Sequence, residues 1–135
     1  MTSAATASAI LVGSGRVLLE RRSPTATWSP GVWDSPGGKL EPGESPDDAV
    51  RREIREELDV ELVDYELLAV VDEEPGRIPT RCRHYLYVAR TWRGDPRPVE
   101  GQNLAWVAAR WAVDSDDCHP ILRDTLTQAL SRGLV

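Results

Sequence analysis

Arg52-Glu53-Ile54-Arg55-Glu56-Glu57 sets three carboxylates at helical spacing directly after a loop rich in Gly and Pro. At about 100° per residue, with Glu53 as origin, Glu57 falls near about 40° and Glu56 near about −60°, so the acids share one stripe. Val50, Ile54 and Leu58 form the neighbouring apolar stripe, so one flank of the helix packs while the next presents acid. Two like charges about 5 Å apart repel by roughly 1 kcal/mol in water and about 3 kcal/mol at an effective dielectric of about 20. A divalent cation reverses that sign. Mg²⁺ and Mn²⁺ favour carboxylate and carbonyl oxygen, and Mg²⁺ commonly keeps waters and takes phosphate oxygens as further ligands. The plainer alternative is a solvated, salt-bridged face with Arg51, Arg52 and Arg55 as partners. Arg52 stands one turn before Glu56, where an ion pair is available.

The preceding stretch, Ser35-Pro36-Gly37-Gly38-Lys39-Leu40-Glu41-Pro42-Gly43-Glu44, shifts the balance towards chemistry. Adjacent glycines permit a tight turn or the close approach of a ligand. Lys39 is the only lysine in the chain and can act as a point charge on phosphate. Glu44 sits where its carboxylate can lean back towards the acidic stripe. Ser45 is placed as an N-cap, Pro46 as the first helical residue and Asp47 and Asp48 as first-turn acids, which predicts a helix running to about Leu58.

These groups need a scaffold. The 135 residues suit one domain, and 41% apolar content supports a packed core. A net charge of −6 argues against non-specific binding to nucleic acid or membrane, although a metal can invert the local field for an anionic substrate. Cys82 and Cys118 form no CxxC pattern and read as free thiols in a reducing compartment. Residues 1–8 lack a basic segment, and no apolar run approaches the ~18 residues of a membrane span. The expectation is a soluble cytoplasmic protein without a removable signal.

Residues 9–12 and 17–20 flank Gly13-Ser14-Gly15 and read as a hairpin. Residues 23–31 form a loop, 32–34 a short strand and 35–45 an irregular loop. Residues 61–72 read as a strand, ended by Pro75-Gly76 and Pro79. Residues 80–92 alternate with two mixed faces, as in a strand covered on both sides. A loop over 94–101, a strand over 104–108 and a helix over 120–131 complete the order. This is an α+β pattern: a mixed sheet with a helix on each face.

Residues 38–60 resemble the Nudix hydrolases, whose box reads G-x5-E-x7-R-E-U-x-E-E-x-G-U with U bulky and apolar. Gly38, Glu44, Arg52-Glu53-Ile54, Glu56-Glu57 and Val60 stand in register. Asp59 stands where the box has Gly, which closes the helix in a left-handed turn that Asp tolerates at some cost. Residues 33–39, Trp92-Arg93-Gly94-Asp95-Pro96, Glu100-Gly101-Gln102 and Trp106 are similar to the MutT-like branch. The resemblance implies a single Nudix domain over residues 1–135, folded as an α/β/α sandwich with a mixed central sheet. It implies hydrolysis of a nucleoside diphosphate linked to another moiety, with Mg²⁺ or Mn²⁺ as cofactor. Glu53, Glu56 and Glu57 would bind metal, helped by the carbonyl of Gly38 or Gly37. Arg52 would orient Glu56 or Glu57, and Glu44 would organise the loop or reach metal through water. Glu100 matches a further acid that serves as metal ligand or base, and Glu53 can take a proton from water.

The branch further implies a nucleoside triphosphate, normal or oxidised, cleaved to monophosphate and pyrophosphate. Arg22 and Trp33 lie near base-pocket positions, Trp33 can stack a base, and Lys39 can meet phosphate. His119 reads as a helix cap or a base contact. Ser35 replaces the aromatic residue of the guanine-sanitising type, and residues 117–120 hold no Asn. A second reading is hydrolysis of ADP-ribose or another nucleoside diphosphate derivative, suggested by Pro75, fifteen residues past Val60. A third is a non-catalytic nucleotide-binding module, against which the complete set of box acids stands. His84 reads as a core or strand histidine, and Trp106 and Trp111 as packing residues. The expected partner is a small nucleotide, with no nucleic-acid polymer and no membrane, and the chain a monomer or homodimer.

Overall fold

The computed structural model describes residues 3–27 and 29–135. Met1 and Thr2, and Trp28 within the expected loop 23–31, lie outside them. In chain order the elements are β1 (Ala4–Gly13), β2 (Arg16–Arg21), β3 (Trp33–Asp34), β4 (Gly37–Lys39), α1 (Pro46–Leu58), β5 (Glu61–Glu73), β6 (Cys82–Arg93), β7 (Asn103–Ala108), α2 (Ala109–Asp114) and α3 (Pro120–Ser131). The strands order as β3-β2-β1-β6-β5, with β4 also paired to β1 and β7 to β2. β1 and β6 run parallel while the other pairs are antiparallel, so the sheet is mixed.

Period-2 alternation places a core on each face. Ala7, Ala9 and Leu11 of β1, with Tyr87 and Ala89 of β6, pack under Ala49, Val50, Ile54 and Leu58 of α1. Ile10 and Val12, Val17, Leu19 and Val88 pack under Ala109 and Ala112 of α2 and Leu122, Leu126 and Ala129 of α3. This is the α/β/α sandwich with a mixed central sheet that the sequence implied. Among the described residues no helix is long and apolar enough to cross a membrane.

Three expectations need correction. Residues 35–45 are not wholly irregular: β4 pairs Gly37, Gly38 and Lys39 with Ser8, Ala7 and Thr6. A Cβ at Gly37 would run into the Ala7 carbonyl and Ser8, so that glycine lets two backbones close. β1 begins at Ala4, well before residue 9. Its Ala- and Ser-rich start carries little hydrophobic signal but pairs with β6 on one side and β4 on the other. α2 follows β7 directly and was not anticipated; it lacks a side-chain cap, so the usual start signal is missing.

Candidate active site

α1 forms where its caps predict. The Ser45 hydroxyl accepts from the Asp48 N–H at 3.1 Å, and Pro46 opens the helix. It closes at Asp59 in the left-handed region (φ 57°, ψ 43°), with the Asp59 N–H donating to the Arg55 carbonyl. The Asp59 carboxylate also accepts from Arg97 at 3.1 Å, so the residue standing in place of Gly is held by its own partner. The Arg97 and Val99 N–H groups donate to the Leu58 and Glu57 carbonyls, pinning the loop before β7 onto the end of α1.

The acidic stripe is graded by burial. The Glu56 side chain is 55% exposed and that of Glu53 15%, while Glu57 is 9% exposed and sits among the apolar positions of α1. Arg52 uses all five of its donors. Nε and Nη2 form a fork on Glu44 at 2.8 and 2.9 Å, and Nη2 also reaches the Lys39 carbonyl at 3.1 Å. Nη1 donates to Glu53 at 2.9 Å and Glu56 at 3.2 Å. Arg52 therefore steers Glu53 and Glu56, whereas Glu57 is not among its partners. The fork holds the Glu44 carboxyl down to about 2, and Glu44 also accepts from the Glu41 N–H at 3.0 Å, so it ties the loop to the helix. Gly38 lies directly against Glu53: a Cβ there would sit 2.6 Å from Glu53 Cδ and 2.7 Å from both carboxylate oxygens.

Glu57 meets a group that motif reading missed. Leu18 and Glu20 share the α1 face of β2, and the Glu20 carboxyl adjoins that of Glu57. Burial, then repulsion from Glu20 and a hydrogen bond with it, raises the Glu57 pKa; Glu53 and Glu100 add to it. Glu20 is raised chiefly by burial, and its hydrogen bond with Glu57, then Gln102 and Arg22, ease it. Gln102, also missed, donates to the Glu57 carbonyl at 3.0 Å and Glu20 at 3.5 Å. Glu57 Oε2 is buried without a hydrogen-bond partner. The available signal was an acid in phase with the buried Leu18. Glu100 is exposed in its turn, close enough to raise both Glu53 and Glu57. Among the described residues no three acidic, His or Cys groups form a ready-made cage for an ion.

Gly37 and Gly38 also wall a polar cleft shared with Thr6, Ser8, Arg22, Asp34, His84 and His119. Its free space is about 80 Å³, room for one edge of a ring, with the remainder of any ligand outside. Asp34 is held by the Ser35 N–H at 2.8 Å, and burial raises its pKa. His119 caps α3: Nδ1 accepts from the Ile121 N–H at 3.1 Å, which leaves Nε2 as the ring's remaining donor. Burial lowers its pKa. His84 lies between the Thr6 hydroxyl (2.7 Å) and the Glu73 carboxylate (2.9 Å), so this strand histidine lines the cleft as well. Two expected ligand contacts lie elsewhere. Trp33 packs into the α2–α3 core while its backbone bonds Asp117 and His119, because alternation along β3 turns it away from Asp34. Lys39 lines a separate groove with Leu40, Asp72, Arg81 and Arg83.

Residues 1–128 match the family described as NUDIX domain. The chain is 34% identical over 107 residues to the CTP pyrophosphohydrolase of Escherichia coli K12, covering 78% of this chain and 76% of that protein. It is 34% identical over 86 residues to an 8-oxo-dGTP diphosphatase of Haemophilus influenzae, covering 63% of this chain and 60% of the relative. The crystal structure of a MutT NUDIX hydrolase from Burkholderia pseudomallei superposes with a TM-score of 0.82 at 32% identity, over 95% of this chain and 98% of that one.

Proposed function

The chain belongs to the NUDIX domain family as a MutT-like hydrolase, and from that premise we propose that it is a metal-dependent pyrophosphohydrolase cleaving a nucleoside triphosphate to monophosphate and pyrophosphate. One observation carries the reading. Gly38, which presses against Glu53, walls the polar cleft together with Gly37, so acid face and cleft meet along a single short strand. A nucleotide whose base edge enters the cleft would lay its phosphates towards the acids.

The donor set fits a hard divalent cation. It is all oxygen, and the buried, unpartnered Glu57 Oε2 is an acceptor that a cation would satisfy. Glu53, Glu56 and Glu57, with the carbonyl of Gly37 or Gly38, would hold Mg²⁺ or Mn²⁺, and Glu100 stands beside them. Bound there, the ion neutralises phosphate oxygens and makes water easier to deprotonate.

The chain supplies the rest. Arg52 locks Glu53 and Glu56 against the Lys39 carbonyl and Glu44, fixing the acids before substrate arrives. Glu53, steered by Arg52 and mostly buried, is the carboxylate best set to accept the proton of the attacking water. In the cleft, the Asp34 carboxyl accepts from a ring or amino N–H of the base, and His119 Nε2 donates to a ring acceptor. The named activities of the relatives, on CTP and on 8-oxo-dGTP, support a nucleoside triphosphate as substrate class. The test is hydrolysis of a panel of normal and oxidised nucleoside triphosphates, ADP-ribose and dinucleoside polyphosphates with Mg²⁺. Preferred turnover of triphosphates supports the reading. Preferred turnover of ADP-ribose, or binding without hydrolysis of any member, overturns it.

A further inference from the structure

Glu20 occupies a position that an apolar residue would fill without difficulty. It lies in phase with Leu18, which is 2% exposed beneath α1. The ladder holds it from both sides, opposite Asp34 of β3 and Leu104 of β7. The ladder fixes its backbone, and its carboxyl meets that of Glu57. The Gln102 amide bonds Glu20 and the Glu57 backbone, so it holds the two elements together without reaching the Glu57 carboxylate. Glu57 Oε2 remains buried and without a donor. Two facing carboxyls in an apolar wall are unfavourable as a pair of charges unless a shared proton or a cation joins them.

We propose that Glu20 is an additional carboxylate of the divalent-cation site, acting as a pair with Glu57 from the β2 side. This rests on the metal-dependent reading above and extends the site beyond α1, the glycines of β4 and Glu100. The acids then contact the ion from two elements, α1 and β2, rather than from α1 and the Glu100 turn alone. The strand-borne ligand is the more rigid, since both of its ladder neighbours are fixed.

The test is Mn²⁺ binding to the whole chain, followed by the electron paramagnetic resonance signal of free Mn²⁺, with thermal melts of the same samples. Glu20→Gln keeps the size and an acceptor for Gln102, and Glu20→Leu matches the apolar surroundings, so the two variants separate loss of charge from loss of fold. Both are expected to fold, to bind Mn²⁺ at least about tenfold more weakly than wild type, and to show a smaller Mn²⁺-induced rise in melting temperature. Folded variants that bind Mn²⁺ within about twofold of wild type overturn the proposal and leave the metal reading standing, because a proton shared with Glu57 would then suffice. Wild-type protein that binds no Mn²⁺ overturns the metal reading, and this proposal with it.

Discussion

Gly38→Ala isolates the contact between loop and helix. The added Cβ would meet the Glu53 carboxylate at 2.6–2.7 Å, whereas ordinary contact begins near 3.4 Å, so the two must separate by about 0.7–0.8 Å. Gly38 sits in a ladder against Ala7, so the strand is the stiffer partner and the flexible tip of Glu53 gives way. Overpacking against a movable side chain falls at the low end of its range, about 1 kcal/mol, or about 3–5 °C in melting temperature for a chain of this size. Catalysis is far more sensitive. Displacing a reacting group by nearly an ångström costs about 100-fold in rate, and it also strains the Arg52 bond that steers Glu53. The assay is kcat with Mg²⁺ on the best nucleotide, alongside a melt. The expected result is a folded protein with kcat down by about 100-fold. A kcat within about threefold of wild type, or a variant that does not fold, refutes the argument that Gly38 exists to let Glu53 approach.

Further outcomes follow from the same geometry. Glu53→Gln and Glu57→Gln each lower kcat by orders of magnitude while circular dichroism stays native; near-normal turnover in either folded variant would remove that residue from the site. Burial and like-charge repulsion hold Glu20 and Glu57 above their ordinary value of 4.5. The folded state then keeps their protons longer than the unfolded chain, so their contribution is full below 4.5 and is lost as pH rises through about 7 for Glu20 and on towards about 10 for Glu57. The metal-free melting temperature should therefore fall between about pH 5 and about pH 8, and Glu20→Gln should flatten that slope; an unchanged slope in the variant would contradict it. Glu44, held down to about 2 by Arg52, acts oppositely: its contribution is present above its ordinary 4.5 and is lost as pH falls towards about 2. Asp59→Gly relieves a left-handed residue but gives up the exposed Arg97 pair, so unfolding free energy should change by less than about 1 kcal/mol; a loss above about 2 kcal/mol in denaturant titration would show that the Arg97 contact governs the turn.

Local chemistry explains what could be read in advance. α1 announced itself through Ser45, Pro46, Asp47 and an apolar stripe, and it ends at Leu58 as expected. The sandwich followed from element order. Pairwise contacts across the sheet were less legible. Ala4 to Ser8 looked too plain for a central strand because β4 and β6 supply its hydrogen bonds from far along the chain. Period-2 alternation could have turned Trp33 towards the α2–α3 core, but a two-residue strand carries no such period. Glu57 resembled its neighbours in the motif, yet Glu20 of β2 and Gln102, just before β7, give it a different environment from Glu56. Asp34 was visible only as part of a motif; its place beside His119 depends on the bridge between Trp33 and Cys118.

The most direct test of the central claim is product identity. Purified chain is incubated with Mg²⁺ and its preferred nucleoside triphosphate, and the products are followed by ³¹P nuclear magnetic resonance. Stoichiometric nucleoside monophosphate and pyrophosphate, abolished by chelation and by Glu57→Gln, is the predicted result. Nucleoside diphosphate with inorganic phosphate, or turnover that persists after chelation, would contradict the account.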